Sequence, residues 1–465
     1  MEGKNTKENP LGTEAVSRLM IRFAVPSIIG MLVSALYNIV DQLFIGQTVG
    51  PNGNAATNVA FPFTTACMAV ALLLGIGGAS CFNLTLGMGD KKKAGYYAGN
   101  ALSMLMISGL VISAVTFTFL TPLLRLFGAP DEVLPYAQEY VRITAIGFPF
   151  LILTTGGGHI IRADGSPRMT MACNLVGAFV NTALDALFVM VFRWGMTGAA
   201  AATVIGQVVS AIMVLVYIRK FRTVELTMKH YKPRWEIVGR VCSTGMASCF
   251  NQLAIALVQI VLNNSLTHYG KLSQYGESDP LAVAGIVMKV NMIVFAIVIG
   301  LAQGTQPIES FNYGAENYSR VKKAYRLAAF TGAGISIVAF ILFQTIPRQI
   351  LSLFGEGTET YFEFGVRFFR IFLFFTWINC LQPITSTFFT SIGKPIKGVF
   401  LSLTRQILFF IPTLLILPTI MGIDGIIYTG PTADLLSAIV AIVLAAYEFR
   451  AMNRLAKKAE AKAAQ

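Results

Sequence analysis

Residues 58–86 read NVAFPFTTACMAVALLLGIGGASCFNLTL and contain no charged side chain. An α-helix rises about 1.5 Å per residue, so about 20 apolar residues suffice to cross the hydrocarbon core of a bilayer. The stretch is longer than that minimum. It therefore predicts a transmembrane helix.

Similar apolar runs extend on both sides of this one along the 465-residue chain. The composition agrees, because 55% of the residues are hydrophobic and only 13% are charged, whereas a soluble protein has about 25% charged residues. We predict an all-α polytopic membrane protein. Its twelve transmembrane helices are predicted at about 19–46, 58–86, 95–121, 136–160, 169–192, 196–219, 238–267, 281–312, 324–346, 360–389, 395–418 and 422–449.

Basic residues divide unevenly between the two predicted sides of the membrane. The connections after odd-numbered spans carry Arg125, Arg193, Lys271 and Arg348, whereas the termini and the other connections carry most of the remaining Lys and Arg. Because cytoplasmic loops are enriched in basic residues, we expect a multi-pass protein of the plasma (inner) membrane with both termini cytoplasmic. Residues 1–17 are polar, so the first span is expected to be its own insertion signal. The net charge of +13 thus reflects topology and not nucleic-acid binding.

The chain matches itself when it is shifted by 227 or 228 residues. Four matched pairs are Gly87-Met-Gly-Asp90 with Gly314-Ala-Glu-Asn317, Phe127-Gly128 with Phe354-Gly355, Gly165-Ser-Pro167 with Gly393-Lys-Pro395, and Gly195-Met-Thr-Gly198 with Gly422-Ile-Asp-Gly425. We interpret these matches as a duplication of a six-helix unit. Six spans return the chain to the same side, so the two repeats are parallel. Transporters with such repeats bind substrate between the halves, here around a predicted central cavity.

The repeats define the predicted domains. We expect residues 1–222 to form an N-terminal lobe (spans 1–6) and residues 238–450 to form a C-terminal lobe (spans 7–12). Residues 223–237 are predicted to be a cytoplasmic linker. Residues 451–465 are predicted to be a basic, solvated cytoplasmic tail that can contact anionic lipid.

Two carboxyl groups lie inside predicted spans of the N-terminal half, Asp41 in the first and Asp185 in the fifth. A charge in hydrocarbon costs about 3 kcal/mol or more, so it is retained for function or for a structural partner. Asn181 shares a helix face with Asp185, and Tyr140 and Thr203 fall at a similar depth. Two close carboxyl groups suit H⁺ capture, whereas transient Na⁺ binding would use oxygens of Asp41, Asn181, Asp185 and Thr203. Both ions remain open, as does the alternative that one Asp only fastens helices together.

The carboxyl pocket is not duplicated in the C-terminal half. Arg405 and Asp434 fall near mid-membrane there and are predicted to form a charge-compensating pair. Lys289 either lines the cavity or extends outward to the headgroups. Glu309 lies near the cytoplasmic end of its span, where hydration at the interface would explain it, although a role in inward release is an alternative. The predicted lining of the substrate cavity is Asn38, Gln42, Lys289 and Asp434.

The six cysteines and three histidines show no metal-binding or disulfide pattern. All six cysteines fall in predicted spans, and none belongs to a Cys-x-x-Cys pair. We therefore expect no structural metal and no cofactor. An intramembrane enzyme is not expected either, because no nucleophile, base or metal set converges.

Several motifs occur in a fixed order along the chain. They are Pro26, Tyr37-Asn-Ile-Val-Asp-Gln-Leu-Phe-Ile-Gly46, Gly87-x-Gly-Asp90, Arg162-Ala-Asp-Gly-Ser-Pro-Arg168, Gly195-x-x-Gly-Ala-Ala200 and Gln306-Pro-Ile-Glu-Ser-Phe-Asn-Tyr-Gly-Ala315. In this order the chain resembles the multidrug and toxic compound extrusion (MATE) transporters, in their MepA-like branch, over nearly its whole length.

The resemblance implies a secondary active multidrug efflux antiporter that exports cationic and amphiphilic compounds in exchange for H⁺ or Na⁺ by alternating access. Asp41, Asn181, Asp185 and Thr203, with Tyr140 close by, match the N-lobe cation site of the DinF-related part of the family. The seventh span contains no acid, so the acidic C-lobe site of the NorM-like branch is not expected. The implied partners are organic cations and membrane lipids, and we expect a monomer. The alternative is a lipid-linked oligosaccharide flippase of the related fold, which tends to have more helices and an arginine-rich cavity.

Overall fold

The computed structural model describes residues 9–49, 51–276, 278–354 and 358–463. At some helical positions the structure describes the backbone only. These positions are 42, 43, 46–48, 51, 52, 54, 278 and 458–463. Three predictions therefore lie wholly or partly outside the described residues: the lining role of the Gln42 side chain, the match of Phe127-Gly128 to Phe354-Gly355, and the solvated character of the tail at 451–465.

Long helices account for most of the described chain. In order they are α1 (Val16–Thr48), α2 (Pro51–Gly87), α3 (Lys91–Thr118), α4 (Leu134–Ala163), α5 (Pro167–Asp185, continued by a π-helix at Ala186–Val191), α6 (Gly195–Ile218), α7 (Trp235–Lys271), α8 (Ser278–Gly314), α9 (Tyr318–Thr345), α10 (Glu359–Phe372, Thr376–Asn379 and Leu381–Ser391), α11 (Pro395–Leu403, a π-helix at Thr404–Phe410, and Ile411–Met421) and α12 (Ile423–Ala463). Short helices at Pro10–Thr13, Leu120–Leu126, Met228–Tyr231 and Pro347–Ser352 lie in the connections.

Within the described residues, eleven helices are long and apolar enough to cross a membrane, and the bent α10 makes a twelfth. The tenth span, predicted at 360–389, coincides with α10, and the structure adds that this span bends by 42° between Phe372 and Thr376. The Thr376 hydroxyl donates to the Leu373 carbonyl at 2.7 Å and satisfies an acceptor at this bend. Pro383 cannot donate to the Asn379 carbonyl, which fits the second break before Leu381. The last helix also extends to Ala463, beyond its predicted end at 449.

The duplication is visible in the backbone of equivalent turns. Gly165 (φ 82°) corresponds to Gly393 (φ 72°), and Gly195 (φ 57°) corresponds to Gly422 (φ 60°). This left-handed region suits glycine because a side chain would clash there. The turns before α3 and α9 also end alike, since Asp90 and Asn317 each cap the following helix with a side-chain oxygen. Two parallel six-helix repeats are therefore confirmed.

Residues near both ends of the described chain lie on one face of the molecule. Arg320, at the start of α9, donates to the Leu11 carbonyl, and Lys322 nearby donates to Asn453. We call this side, with the turns before α3, α7 and α9, the basic face. The halves touch closely near it: a methyl group added to Gly77 would lie 2.1 Å from the Val241 carbonyl oxygen. Gly304 is equivalent to Gly77 in the second repeat, and a methyl group added to Gly304 would lie 2.5 Å from the Cα of Ala24.

The linker predicted at 223–237 packs against the N-terminal half. Asp164 accepts hydrogen bonds from the backbone amides of Arg222 and Thr223 at 2.8 and 2.9 Å. Further along, Asn100 in α3 donates to the His230 carbonyl at 2.9 Å. Helix α7 begins at Trp235, earlier than the predicted boundary at 238. The division into two lobes, a linker and a tail stays a prediction.

Candidate functional site

The N-terminal site is built where α5 and α6 approach through glycines. A methyl group added to Gly206 would lie 2.8 Å from the Gly177 carbonyl oxygen, so the two backbones are nearly in contact. Asn181 lies one turn beyond Gly177, and Thr203 lies one turn before Gly206 on the antiparallel neighbour. The glycine contact therefore brings the amide and the hydroxyl together.

The Asn181 amide links Thr203 to Asp185. In the orientation that satisfies both ends of the amide, its nitrogen donates to Asp185 Oδ2 at 3.2 Å. Its oxygen then accepts from the Thr203 hydroxyl at 3.3 Å and from the Thr203 backbone amide at 3.1 Å. Asn181 and Asp185 are 2% and 0% exposed, so this network is shielded from solvent.

Asp41 and Asp185 bring their carboxyl groups together from different helices. The two side chains lie within hydrogen-bonding range of each other. Asp185 is the last residue of the α-helical part of α5, and the π-helix starts immediately after it. Single π-turns of this kind occur frequently at functional sites. The Oδ1 atoms of both residues are buried and have no hydrogen-bond partner within the described part of the chain.

Two tyrosines flank the carboxyl pair. Tyr140 of α4, a predicted site residue, lies beside Asp41 and has the Thr203 hydroxyl as a polar neighbour. Tyr37 lies beside both carboxyl groups. Sequence reasoning did not assign Tyr37 to the site, although it stands four residues before Asp41 and thus on the same helix face. The structure brings all five predicted ion-coupling residues together, and their role in coupling stays a prediction.

The C-terminal half has its charges arranged differently. The guanidinium of Arg405 donates to Asp434 Oδ1 at 2.7 Å, and Asp434 is 2% exposed. The predicted charge-compensating pair is therefore confirmed. Lys289 is exposed, which fits both alternatives given for it. Asn38 is also exposed and donates to the Ser34 carbonyl of its own helix at 2.6 Å.

The sequence profile of the MatE family matches residues 26–187 and 247–416, one segment in each half. These segments cover more than half of the chain. The chain belongs to the MATE family.

Curated relatives of this MATE chain match almost end to end. The multidrug export protein MepA of Staphylococcus aureus (strain MSSA476) is 25% identical over 92% of the chain and 93% of its own length. MepA of Staphylococcus haemolyticus (strain JCSC1435) is 24% identical over 95% of each. A structure described as the outward-facing conformation of a multidrug resistance MATE family transporter superposes with a TM-score of 0.90. It covers 97% of this chain and 100% of its own at 24% identity, so it confirms the fold. The chain is a multi-pass membrane transporter.

Glu309 of this MATE chain is buried, contrary to the expectation from the sequence. We expected hydration at the membrane interface to explain it, yet the residue is 2% exposed. It stands in α8 close to Ser391 at the end of α10. A position near a helix end does not guarantee exposure, because the packed end of a neighbouring helix can cover it.

Two further polar features were missed by the sequence analysis. Glu448 in α12 is fully buried and accepts hydrogen bonds from Lys394 and Lys397. Gln207 lies one turn beyond Thr203 on α6, and its Oε1 atom is buried without a hydrogen-bond partner among the described residues. Its spacing of four residues from Thr203 was the available signal.

Metal-binding side chains do not converge in the described part of the chain. No group of three or more His, Cys, Asp or Glu residues there could hold a metal ion. The N-terminal site contains two acidic groups, Asp41 and Asp185. A metal cation bound there would therefore need neutral oxygen ligands as well.

Proposed function

We propose that this MATE chain is a secondary active multidrug efflux antiporter that exports cationic and amphiphilic compounds in exchange for H⁺ or Na⁺. The observation that carries the proposal is the pair of buried, unpartnered carboxylate oxygens on Asp41 and Asp185. The MepA relatives are multidrug export proteins, which supports the substrate class.

The carboxyl pair supplies a site for exchangeable positive charge. Two carboxylates close together in an apolar setting repel each other, and each has lost its hydration. A bound cation relieves both effects. Among the described residues, no Lys, Arg or His forms an ion pair with Asp41 or Asp185. The charge therefore has to come from a mobile cation.

The amide geometry favours H⁺ over Na⁺. A Na⁺ site would need carbonyl, hydroxyl or carboxylate oxygens directed at the ion. In the satisfied network, Asn181 presents its nitrogen to Asp185 and directs its oxygen to Thr203. Na⁺ binding would require this amide to rotate, whereas H⁺ binding leaves the network intact.

Exchange follows if the two cations compete for the same negative charge. H⁺ binding from outside neutralises Asp41 and Asp185, so an organic cation loses its counter-charge and is released. Loss of H⁺ on the inner side restores the negative charge and favours a new organic cation. Coupling of this kind requires only that each ligand lowers the affinity for the other, and it is reciprocal. The parallel repeats provide the alternating access.

Transport by purified protein in proteoliposomes tests this proposal. We expect ethidium efflux under a pH gradient alone, no efflux in Asp41→Asn or Asp185→Asn, and unchanged efflux in the control Asp131→Asn. Asp131 is an exposed acid on a connection, so its substitution removes the same charge away from the site. Efflux driven only by a Na⁺ gradient would overturn the choice of H⁺. Wild-type efflux in both site variants would overturn the site.

The membrane orientation is part of the proposal. We propose that the basic face lies in the cytoplasm of the plasma membrane, because Lys and Arg are enriched there. We also propose that the transporter works as a monomer. Maleimide labelling tests the orientation, with single cysteines introduced at Met88 and Asp131 in a variant whose six native cysteines are replaced by alanine. Only the cysteine at Asp131 should react from outside in intact cells.

A further inference from the structure

A cavity of about 640 Å³ opens on the basic face between the start of α3 and the start of α7. It joins the two halves, since α3 belongs to the first repeat and α7 to the second. The antiport proposal makes no use of it. Four basic residues line it: Lys92, Lys93, Arg234 and Arg240.

The basic residues of the cavity outnumber its acids. Asp90 and Glu236 are the two acidic lining residues, and Asp90 already accepts the Lys93 backbone amide at 2.9 Å as the cap of α3. In the described part of the chain, none of the four basic side chains forms an ion pair. The cavity therefore holds an excess of positive charge with no internal partner.

Arg234 is held in place by contacts that leave its charge available. Its guanidinium stacks over the Tyr96 ring at 3.9 Å, and that ring packs against His230 at 4.6 Å. Its backbone amide donates to Asn100 Oδ1 at 2.6 Å. A stacked guanidinium keeps its edge N–H groups free, and their planar fork matches two oxygens of a phosphate.

The equivalent region of the second repeat is closed by the protein itself. A shift of 227 residues places Lys93 on Arg320. The Arg320 guanidinium donates to the Leu11 carbonyl at 3.0 Å, to the Glu14 carbonyl at 2.5 Å and to Asn312 Oδ1 at 2.9 Å. The segment before α1 thus supplies two of the three oxygens in one repeat, and Asn312 of α8 supplies the third. In the other repeat the matching place is an open cavity, which indicates that an external molecule supplies them.

The depth of the cavity indicates the source of those oxygens. Trp235 stands between the lining residues Arg234 and Glu236 and is 80% exposed. Exposed tryptophans are enriched at the headgroup level of membranes, and two membrane-spanning helices begin beside this cavity. We propose that the cavity binds the phosphate of an anionic phospholipid headgroup and so bridges α3 to α7.

Fluorescence quenching by brominated lipids tests this proposal without measuring transport. The chain has three tryptophans, so the double substitution Trp194→Phe with Trp377→Phe leaves Trp235 as the single reporter. The full-length protein is reconstituted with dibrominated phosphatidylglycerol or dibrominated phosphatidylcholine. We expect Trp235 to prefer the anionic lipid by about fivefold.

Two sets of variants give the comparison. Lys93→Gln with Arg234→Gln should reduce the preference to near one, whereas Lys322→Gln with Lys323→Gln should retain it. The control pair removes the same charge from the start of α9 in the other repeat. All four residues lie at the surface, and elution as a single species in detergent checks the fold of each variant.

Competition with inorganic phosphate distinguishes a lipid phosphate from a soluble phosphate as the ligand of the cavity. Inorganic phosphate at millimolar concentration should leave the quenching unchanged if the ligand is a lipid. Quenching that is equal for the two lipids but altered by phosphate would overturn the lipid assignment in favour of a soluble phosphate. Equal quenching that neither the variants nor phosphate changes would overturn the site.

Discussion

The two halves share one backbone plan but treat buried charge in opposite ways. In the first half, Asp41 and Asp185 lie together without a basic partner among the described residues. In the second half, Asp434 is paired with Arg405 at 2.7 Å. Each fifth helix contains a π-helix, which starts directly after Asp185 in α5 and includes Arg405 in α11. Equivalent helix geometry therefore holds buried acids in two different electrostatic settings, without a basic partner in the first repeat and ion-paired in the second.

Breaking the ion pair of the second half should lower the stability more than any other substitution considered below. Arg405→Gln leaves the Asp434 carboxylate buried without its partner, and such a loss typically costs about 3–5 kcal/mol of folding free energy. Asp185→Asn should cost no stability, because it removes a repulsion. Thermal unfolding of both variants in detergent measures the contrast.

A double substitution controls this contrast. Arg405→Gln with Asp434→Asn removes both charges and should recover most of the lost stability. If Asp185→Asn destabilised the protein as much as Arg405→Gln, the carboxyl pair of the first half would be a structural fastener and the comparison would fail.

The next effect concerns the glycine contact that builds the site. Gly206→Ala places a methyl group 2.8 Å from the Gly177 carbonyl oxygen, so α5 and α6 must separate. Overpacking of this kind typically costs about 1–3 kcal/mol, and we expect efflux to be lost as Asn181 moves from Thr203. Gly334→Ala is the matched control, since nothing lies within 4 Å of a methyl group there. Unchanged efflux in Gly206→Ala would show that the contact does not position the site.

A smaller effect should follow from removing the amide alone. Asn181→Leu leaves an Asp185 oxygen without its donor, which costs about 1–3 kcal/mol for a buried group. We expect efflux under a pH gradient to fall by about tenfold or more while the fold is kept. The repeat-equivalent residue is Phe409, so Phe409→Leu serves as a control in the other half and should transport nearly normally. Equal losses in both variants would place the effect in general packing.

The smallest effect is expected at the surface. Arg125 and Asp131 form an exposed pair at 3.2 Å, and exposed pairs contribute about 0–1 kcal/mol. Asp131→Asn should therefore change the unfolding temperature little and leave efflux unchanged. A large loss of efflux would mean that acids outside the carboxyl pair also take part in coupling.

Local signals in the sequence sufficed for much of this structure. Apolar length predicted the spans, and equivalent glycine turns such as Gly165 and Gly393 predicted the repeat, because such turns need a left-handed backbone. The site residues could be grouped because two acids in apolar spans are rare and depth can be counted along a helix.

Other features depend on contacts between distant segments. The bend of α10 at Phe372 has no glycine or proline beside it, so nothing local marks it. The burial of Glu309 depends on the neighbouring end of α10, and the docking of the linker depends on Asn100 far away in sequence. Tyr37 carried a usable signal, since it shares a helix face with Asp41, but a tyrosine in an apolar span is common as a packing residue.

Proton release on substrate binding measures directly whether H⁺ and the organic cation compete for one site. Ethidium is added to purified protein in a weakly buffered detergent solution, and the pH change is followed with an indicator dye. If H⁺ and the organic cation compete at Asp41 and Asp185, the wild type releases protons as ethidium binds, and the Asp41→Asn and Asp185→Asn variants do not. Ethidium binding to the wild type without proton release would contradict the account.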